Sequence, residues 1–400
     1  MTATTADFSA RWSDAVLDAA RRRGDPPADA VVASLFADGG VDAVRGLMAS
    51  LVMDDAFVPE ALPADLRAYL VATDVPDVRD AATIAAGERV FAVHGPEILM
   101  VLCCSSLPSS YSARKGVQVL HRTAYLAKRP TRRLFETAQM IIDVMSPGGL
   151  GPTGRGLRTA QKVRLMHAAV RHLVQHDPSR PWNLDELGLP INQEDLLGTL
   201  MTFSWLILEG LETLGVPLDP ADQAAYTATW MHVGQVMGIE PALIPTTVEG
   251  TEWLTRTIER RQVAPSDEGR EMTAALLDMM DTNVPAPLRS VPPGLIREFL
   301  PADVADFLGV PSPRLEEALQ SAAEHLVRPF ERLYDRVAGR HVAVRAFAIR
   351  MLQGMQAVEL GDRRANFSVP DSLADGWAMA PAGSEESFWQ KLREWDAARR

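Results

Sequence analysis

Apolar residues recur at helical spacing through nearly all of this chain, and no stretch shows the strict alternation of a half-buried strand. Leu134, Ala138, Ile141, Ile142 and Met145 fall at i, i+4, i+7, i+8 and i+11, one stripe of a helix. Val163, Met166, His167, Val170 and Val174 mark one face of a second helix, expected over 157–175. Asn192 reads as an N-cap, with Glu194 and Asp195 in the first turn of a helix reaching residue 211. Residues 30–53 carry the same period, broken at Gly39-Gly40, and Phe388, Leu392 and Trp395 mark a last amphipathic helix. Helices with one apolar stripe bury it against other helices, so the expected fold is all-α.

The breaks are local. Pro147-Gly148-Gly149 through Gly156 reads as a tight loop between two helices. Residues 284–295 hold Pro285, Pro287, Pro292, Pro293 and Gly294 and form the best linker candidate, with 370–384 a second loop-rich stretch. The expected organisation is a core over 85–262, an N-terminal helical segment over 1–84 and a C-terminal helical segment over 263–400, both packing on the core.

Composition excludes several classes. A net charge of −12 lacks the positive face that neutralises nucleic-acid phosphates or docks an anionic membrane. The two cysteines, Cys103 and Cys104, are adjacent in an apolar run; neighbouring cysteines seldom bridge, so buried thiols are expected. No CxxC spacing offers a zinc or iron–sulfur site. Residues 1–12 are polar, and Arg21-Arg22-Arg23 precedes no hydrophobic stretch, so no export signal is read. Residues 196–208, the most apolar helix by this reading, are too short to span a bilayer. A cytoplasmic protein with no transmembrane segment and no nucleic-acid partner is expected.

The Gly148–Gly156 stretch has neither the Gly-Lys-Ser/Thr ending of a phosphate loop nor a preceding strand, so a helix–helix turn is the better explanation. Of eight histidines, none belongs to a HExxH motif. His172 and His176 lie near a helix end on its polar side, and His232 is a second candidate for burial. His167 differs, because it sits on an apolar stripe with Arg164 three residues before it and Arg171 four residues after. A haem asks for this mixture: an imidazole for iron, an apolar wall for the macrocycle and cations for the propionates. Two plainer readings stand beside it: a hydrogen-bonded core histidine, and arginines paired with acidic residues elsewhere in the chain.

Arg133-Leu134-Phe135-Glu136-Thr137, the Pro147-Gly148-Gly149 loop, Gly154-Arg155-Gly156 and Val163-Arg164-Leu165-Met166-His167-Ala168-Ala169-Val170-Arg171 together resemble the latex-clearing-protein family of rubber oxygenases and MpaB-type oxygenases. Gly87, Tyr111 and Gly116 upstream, and Thr199, Trp230 and Gly234 downstream, extend the likeness over roughly Gly87 to Glu240. The resemblance implies a globin-like helical core around a non-covalent haem b, with extra N- and C-terminal helices, and an oxygenase or dioxygenase that uses O2 as co-substrate. Its characterised members cleave carbon–carbon double bonds of isoprenoid chains. By position, His167 matches the axial ligand of the haem iron, Arg164 and Arg171 the arginines that flank it, Arg133 and Thr137 the distal-side pair, and Thr199 a pocket threonine.

Two positions depart from that pattern. Glu136 stands where rubber-cleaving members carry a lysine that can cap iron, and residues 112–120 hold no acid, Gln118 being the nearest polar candidate. The absent lysine and the absent export signal point away from rubber itself and towards a small, apolar, unsaturated metabolite. Glu136 is then a candidate proton acceptor, with Arg133 and Thr137 as hydrogen-bond donors. The rival functions are a haem-dependent hydroxylase or peroxidase, which would need an electron donor, and a non-enzymatic haem sensor or carrier.

Overall fold

The computed structural model describes residues 5–37, 40, 64–73, 81–127, 130–283 and 289–312, with 345, 347–349, 352, 373 and 377; the side chains of 64–65, 124–134 and 283 lie outside this set. The described residues are helical apart from turns and a single β-bridge, Ala113 to Val263. The N-terminal helices are α1 (Thr5–Arg11), α2 (Asp14–Ala20), α3 (Pro26–Ala37) and α4 (Ala64–Ala72). Next come α5 (Ala81–Val101), a π-helical turn (Leu102–Ser106), α6 (Leu107–Ser112), α7 (Val117–Ala127), α8 (Pro130–Met145) and α9 (Arg155–Gln175). The rest are α10 (Leu184–Leu187), α11 (Gln193–Phe203), α12 (Trp205–Thr213), α13 (Pro220–Val236), α14 (Val248–Gln262), α15 (Asp267–Asn283), α16 (Val291–Phe299) and α17 (Ala302–Phe307).

One apolar core runs from Trp12 to Trp377, so the N-terminal, central and C-terminal segments share it. Its axis is the stretch Ala81–Ser112, packed chiefly on α13. By length and composition this helix, and not residues 196–208, is apolar enough to cross a bilayer, yet 83% of its most apolar window is buried inside the protein. Cys103 and Cys104 lie within it as buried free thiols, and burial pushes Cys103 up to about 12. Its π-turn rotates the helical residues after it, so that Ser109, Ser110, Tyr111 and Ser112 line a cavity.

Two expectations change in detail. Asn192 does cap α11, accepting from the Asp195 N–H at 2.9 Å, but the helix does not run to 211. It breaks at Ser204, whose hydroxyl donates to Leu200 O at 2.8 Å and competes with the backbone ladder. The proline-rich stretch is no open linker where it is described: Pro292, Pro293 and Gly294 are buried in the first turn of α16, where a proline lacks only an N–H that would have no helical partner. Residues 284–288, 370–372 and the expected helix around Phe388–Trp395 lie outside the described residues, as does most of 30–53 beyond α3.

The glycine-rich loop holds an internal anion. Gly148 takes a left-handed φ of +73°, and its N–H donates to Glu88 Oε2 at 2.9 Å. Burial pushes the Glu88 carboxyl above its ordinary range, and the N–H groups of Gly148, Gly149 and Leu150 pull it back. A Cβ on Gly156 would lie 2.4 Å from the Val144 Cα, so glycine there lets α9 cross tightly against α8. Glu88→Ala is expected to lower stability by about 0.5–1.5 kcal/mol, the net worth of a hydrogen bond whose donor can turn to water. Urea unfolding would measure it, and Glu88→Gln should lose less because its amide oxygen still accepts.

Candidate active site

Helix α9 is a wall with two packed faces. Leu165, Ala168 and Ala169 are buried against Ala28, Val32, Leu66 and Leu70 of α3 and α4. Val163, Met166, His167 and Val170 face the other way and line a cavity of about 1120 Å³. The apolar stripe read from the sequence is therefore the cavity wall, with Val174 buried just beyond it. At 3.6 residues per turn a stripe of this kind stays on one side for about two turns, which is the length used here.

The neighbouring helix α8 brings Glu136, Thr137 and Met140 to the same cavity. Glu136 is exposed and Thr137 half-buried. Arg133 sits in the first turn of α8, and its side chain lies outside the described residues. From α11 come Leu196, Gly198, Thr199 and Leu200; Thr199 is exposed, and its hydroxyl donates to Asp195 O at 2.9 Å. Tyr111, Gly116, Trp230 and Gly234 also line it. Of the sequence-derived candidates, the cavity thus unites His167, Glu136, Thr137 and Thr199.

Arg164 and Arg171 are not on this wall. On the helix they sit about 60° and 40° round from His167, towards the same flank, and their long stems carry the charges to the N-terminal segment. Arg164 makes a two-pronged pair with Asp25, Nε to Oδ2 at 2.5 Å and Nη2 to Oδ1 at 2.8 Å, and Nη1 donates to Val236 O at 3.2 Å. Burial opposes its charge, but the Asp25 carboxylate more than offsets this and raises its pKa above the ordinary value. Arg171 pairs with Asp29 and donates from Nε to Pro190 O at 3.0 Å and from Nη2 to Ile191 O at 2.8 Å. In this arrangement both arginines are ion-paired within the chain, Arg164 in a buried site with Asp25 and Arg171 with the half-buried Asp29.

The other described histidines, His94, His121, His172, His176 and His232, do not line this cavity. His232 is buried on α13 but does not line the cavity, although Trp230 and Val233 beside it do. His172 and His176 stack on one another, and Phe36 stacks on His172. His121 meets Glu271 at 2.8 Å.

Several cavity residues escaped the sequence reading. Glu194, Asp195 and Glu259 also line the cavity, and Arg260 stands exposed there. Glu194 is a hub, accepting from Arg21 at 3.2 Å, Arg261 at 2.7 Å and Gln262 at 2.9 Å. Burial raises the Glu259 carboxyl, partly offset by Arg256. The walls also take Met272, Ala275, Leu276, Leu300 and Val304, from the segment beyond residue 262. No local pattern marks these positions, since each belongs to an ordinary amphipathic helix.

Among the described residues no group of three or more His, Cys, Asp or Glu side chains is arranged to hold a bare metal ion. A macrocycle asks for less, because it brings its own in-plane nitrogens and needs one axial donor and apolar walls. His167 between Val163, Met166 and Val170, on a cavity at the upper end of small-molecule site volumes, fits that requirement.

Residues 87–330 match the family described as "ER-bound oxygenase mpaB/B'/Rubber oxygenase, catalytic domain". The rubber oxygenase of Streptomyces sp. (strain K30) is 27% identical over 314 residues, covering 76% of this chain and 75% of that one. The solved structure of latex clearing protein LCP in the closed state is similar with a TM-score of 0.67 at 25% identity, over 82% of this chain and 91% of that one.

Proposed function

Because the chain belongs to the family of mpaB, mpaB' and rubber oxygenases and has the all-helical fold of latex clearing protein, we propose that it is a haem b-dependent oxygenase acting on a small, apolar, unsaturated, isoprenoid-like metabolite. The observation that carries this reading is the shared wall: His167 from α9 with Glu136 and Thr137 from α8, on one large apolar cavity. His167 would hold the haem iron. The chemistry that group supplies when bound is the activation of molecular oxygen.

The chain's own residues divide the remaining work. Val163, Met166, Val170, Met140 and Trp230 form apolar walls suited to an apolar substrate. The Thr137 hydroxyl would serve as a hydrogen-bond donor at the reacting oxygen, and Arg133 is proposed as a second donor on the strength of its motif position. Glu136 offers a carboxylate on the cavity wall that can take a substrate proton. The residues of α8 and α9 are held in register by the Gly148–Gly156 loop that joins them.

The test is direct. The purified chain should show a Soret band with about one haem per chain and should consume O2 with an unsaturated isoprenoid substrate. Turnover without added reductant would support double-bond cleavage by a dioxygenase, whereas a strict need for an electron donor would favour a hydroxylase. A chain without a Soret band even after haem reconstitution would end the haem reading.

A further inference from the structure

We propose that Ile191 is a specificity-determining residue of the cavity, and that Arg171 is a positioning residue acting through it. This rests on the reading of the cavity as the substrate site. Among the described residues Ile191 is the non-glycine residue with positive φ, at 52°. A β-branched side chain in the left-handed region crowds its own backbone. Such a conformation persists only where the surroundings over-determine it.

The surroundings here do so. Arg171, 2% exposed, donates to Ile191 O at 2.8 Å and to Pro190 O at 3.0 Å. The Leu189 N–H donates to Arg21 O at 2.9 Å, and Asn192 Nδ2 donates to Leu189 O at 2.8 Å. Every peptide from Leu189 to Ile191 is therefore tied to a neighbouring element or to the cap of α11.

A turn of this shape is made without strain by Gly or Asn. Isoleucine gives the turn nothing, but it sets a branched apolar group on the cavity wall. Its anchor, Arg171, directly succeeds Val170 and lies four residues after His167 on α9. The wall carrying Ile191 is thus tied to the helix that carries the candidate ligand through the Arg171 side chain. Ile191 then discriminates by girth, passing slender apolar chains and rejecting bulky ones.

The test uses the purified full-length chain and the neutral fluorescent dye Nile red, displaced by two ten-carbon alcohols of different girth, 1-decanol and 1-adamantanol. In the wild type, 1-decanol should displace the dye at a clearly lower concentration than 1-adamantanol. Ile191→Gly should shrink that preference by about tenfold, the scale on which apolar pockets respond to missing methylenes. Glycine accepts the backbone conformation, so the variant should fold and melt as a single transition. Arg171→Lys, which loses the forked donation to two carbonyls, should lower the preference too, and adding it to Ile191→Gly should change little more, as expected when two residues act as a unit. An Ile191→Gly chain with wild-type preference, or a wild type that takes up no Nile red, overturns the proposal. A chain that lacks a Soret band yet shows the Ile191 effect keeps it and removes only the haem reading.

Discussion

His167→Ala is expected to leave a folded chain that has lost most of its Soret absorption. His167 is half-buried, and its neighbours Leu165, Ala168 and Ala169 hold α9 against α3 and α4 without it, so an alanine there adds one apolar residue to a helix that is already packed. On the proposed haem reading, the loss falls on the metal. Groups that merely orient a metal ligand cost about 10–100-fold in affinity when removed, so removal of the ligand should weaken haem binding beyond the upper end of that range. Haem titration of the apo-chain, monitored in the visible region, measures the effect. Added imidazole should restore part of the spectrum by entering the space the side chain leaves. His232→Ala is the control: His232 does not line the cavity, and its loss should spare haem content. A wild-type spectrum in His167→Ala with loss in His232→Ala would reverse the assignment.

Asp25→Ala is expected to lower the stability of the whole chain by about 3–5 kcal/mol, because it leaves a buried guanidinium without its counter-charge. The Arg164 side chain is 9% exposed and the Asp25 side chain 4%, so water cannot take the place of the lost carboxylate. Asp29→Ala should cost less, since Asp29 is 34% exposed and solvent screens its pair with Arg171. Replacing both partners, Asp25→Leu with Arg164→Met, should recover much of the loss, since apolar pairs of similar volume often replace buried ion pairs without penalty. Urea unfolding at constant m-value gives the comparison. An Asp25→Ala loss below about 1 kcal/mol, the range of an exposed pair, would show that Arg164 is not held as described. The expected outcome also separates two roles for the flanking arginines: an Arg164 that served a haem propionate would lose cofactor affinity but little stability in the apo-chain.

The cavity wall on α9 was legible because helical periodicity is a local property. Val163, Met166, His167 and Val170 announce a shared face from their spacing alone. The same holds for the Asn192 cap, whose partner lies three residues away. The destination of Arg164 and Arg171 was not legible. Their partners stand 139 and 142 residues earlier, and any acid of this acidic chain was as good a candidate on sequence grounds. The glycine loop shows both sides: its composition marked a turn, but Glu88, sixty residues away, decided which anion its N–H groups would meet.

The sequence by itself determined an all-helical chain, the two helices that carry the motif residues and the helix face that His167 shares with Val163, Met166 and Val170, because each arises from residue type at a spacing of a few positions. The tertiary structure alone decided which charges pair, where α11 and α12 divide, that two prolines start a buried helix, and that the left-handed turn at Ile191 is met by an arginine twenty residues before it. These are choices among partners distant in sequence, and chain entropy and burial select among them only once the helices have packed.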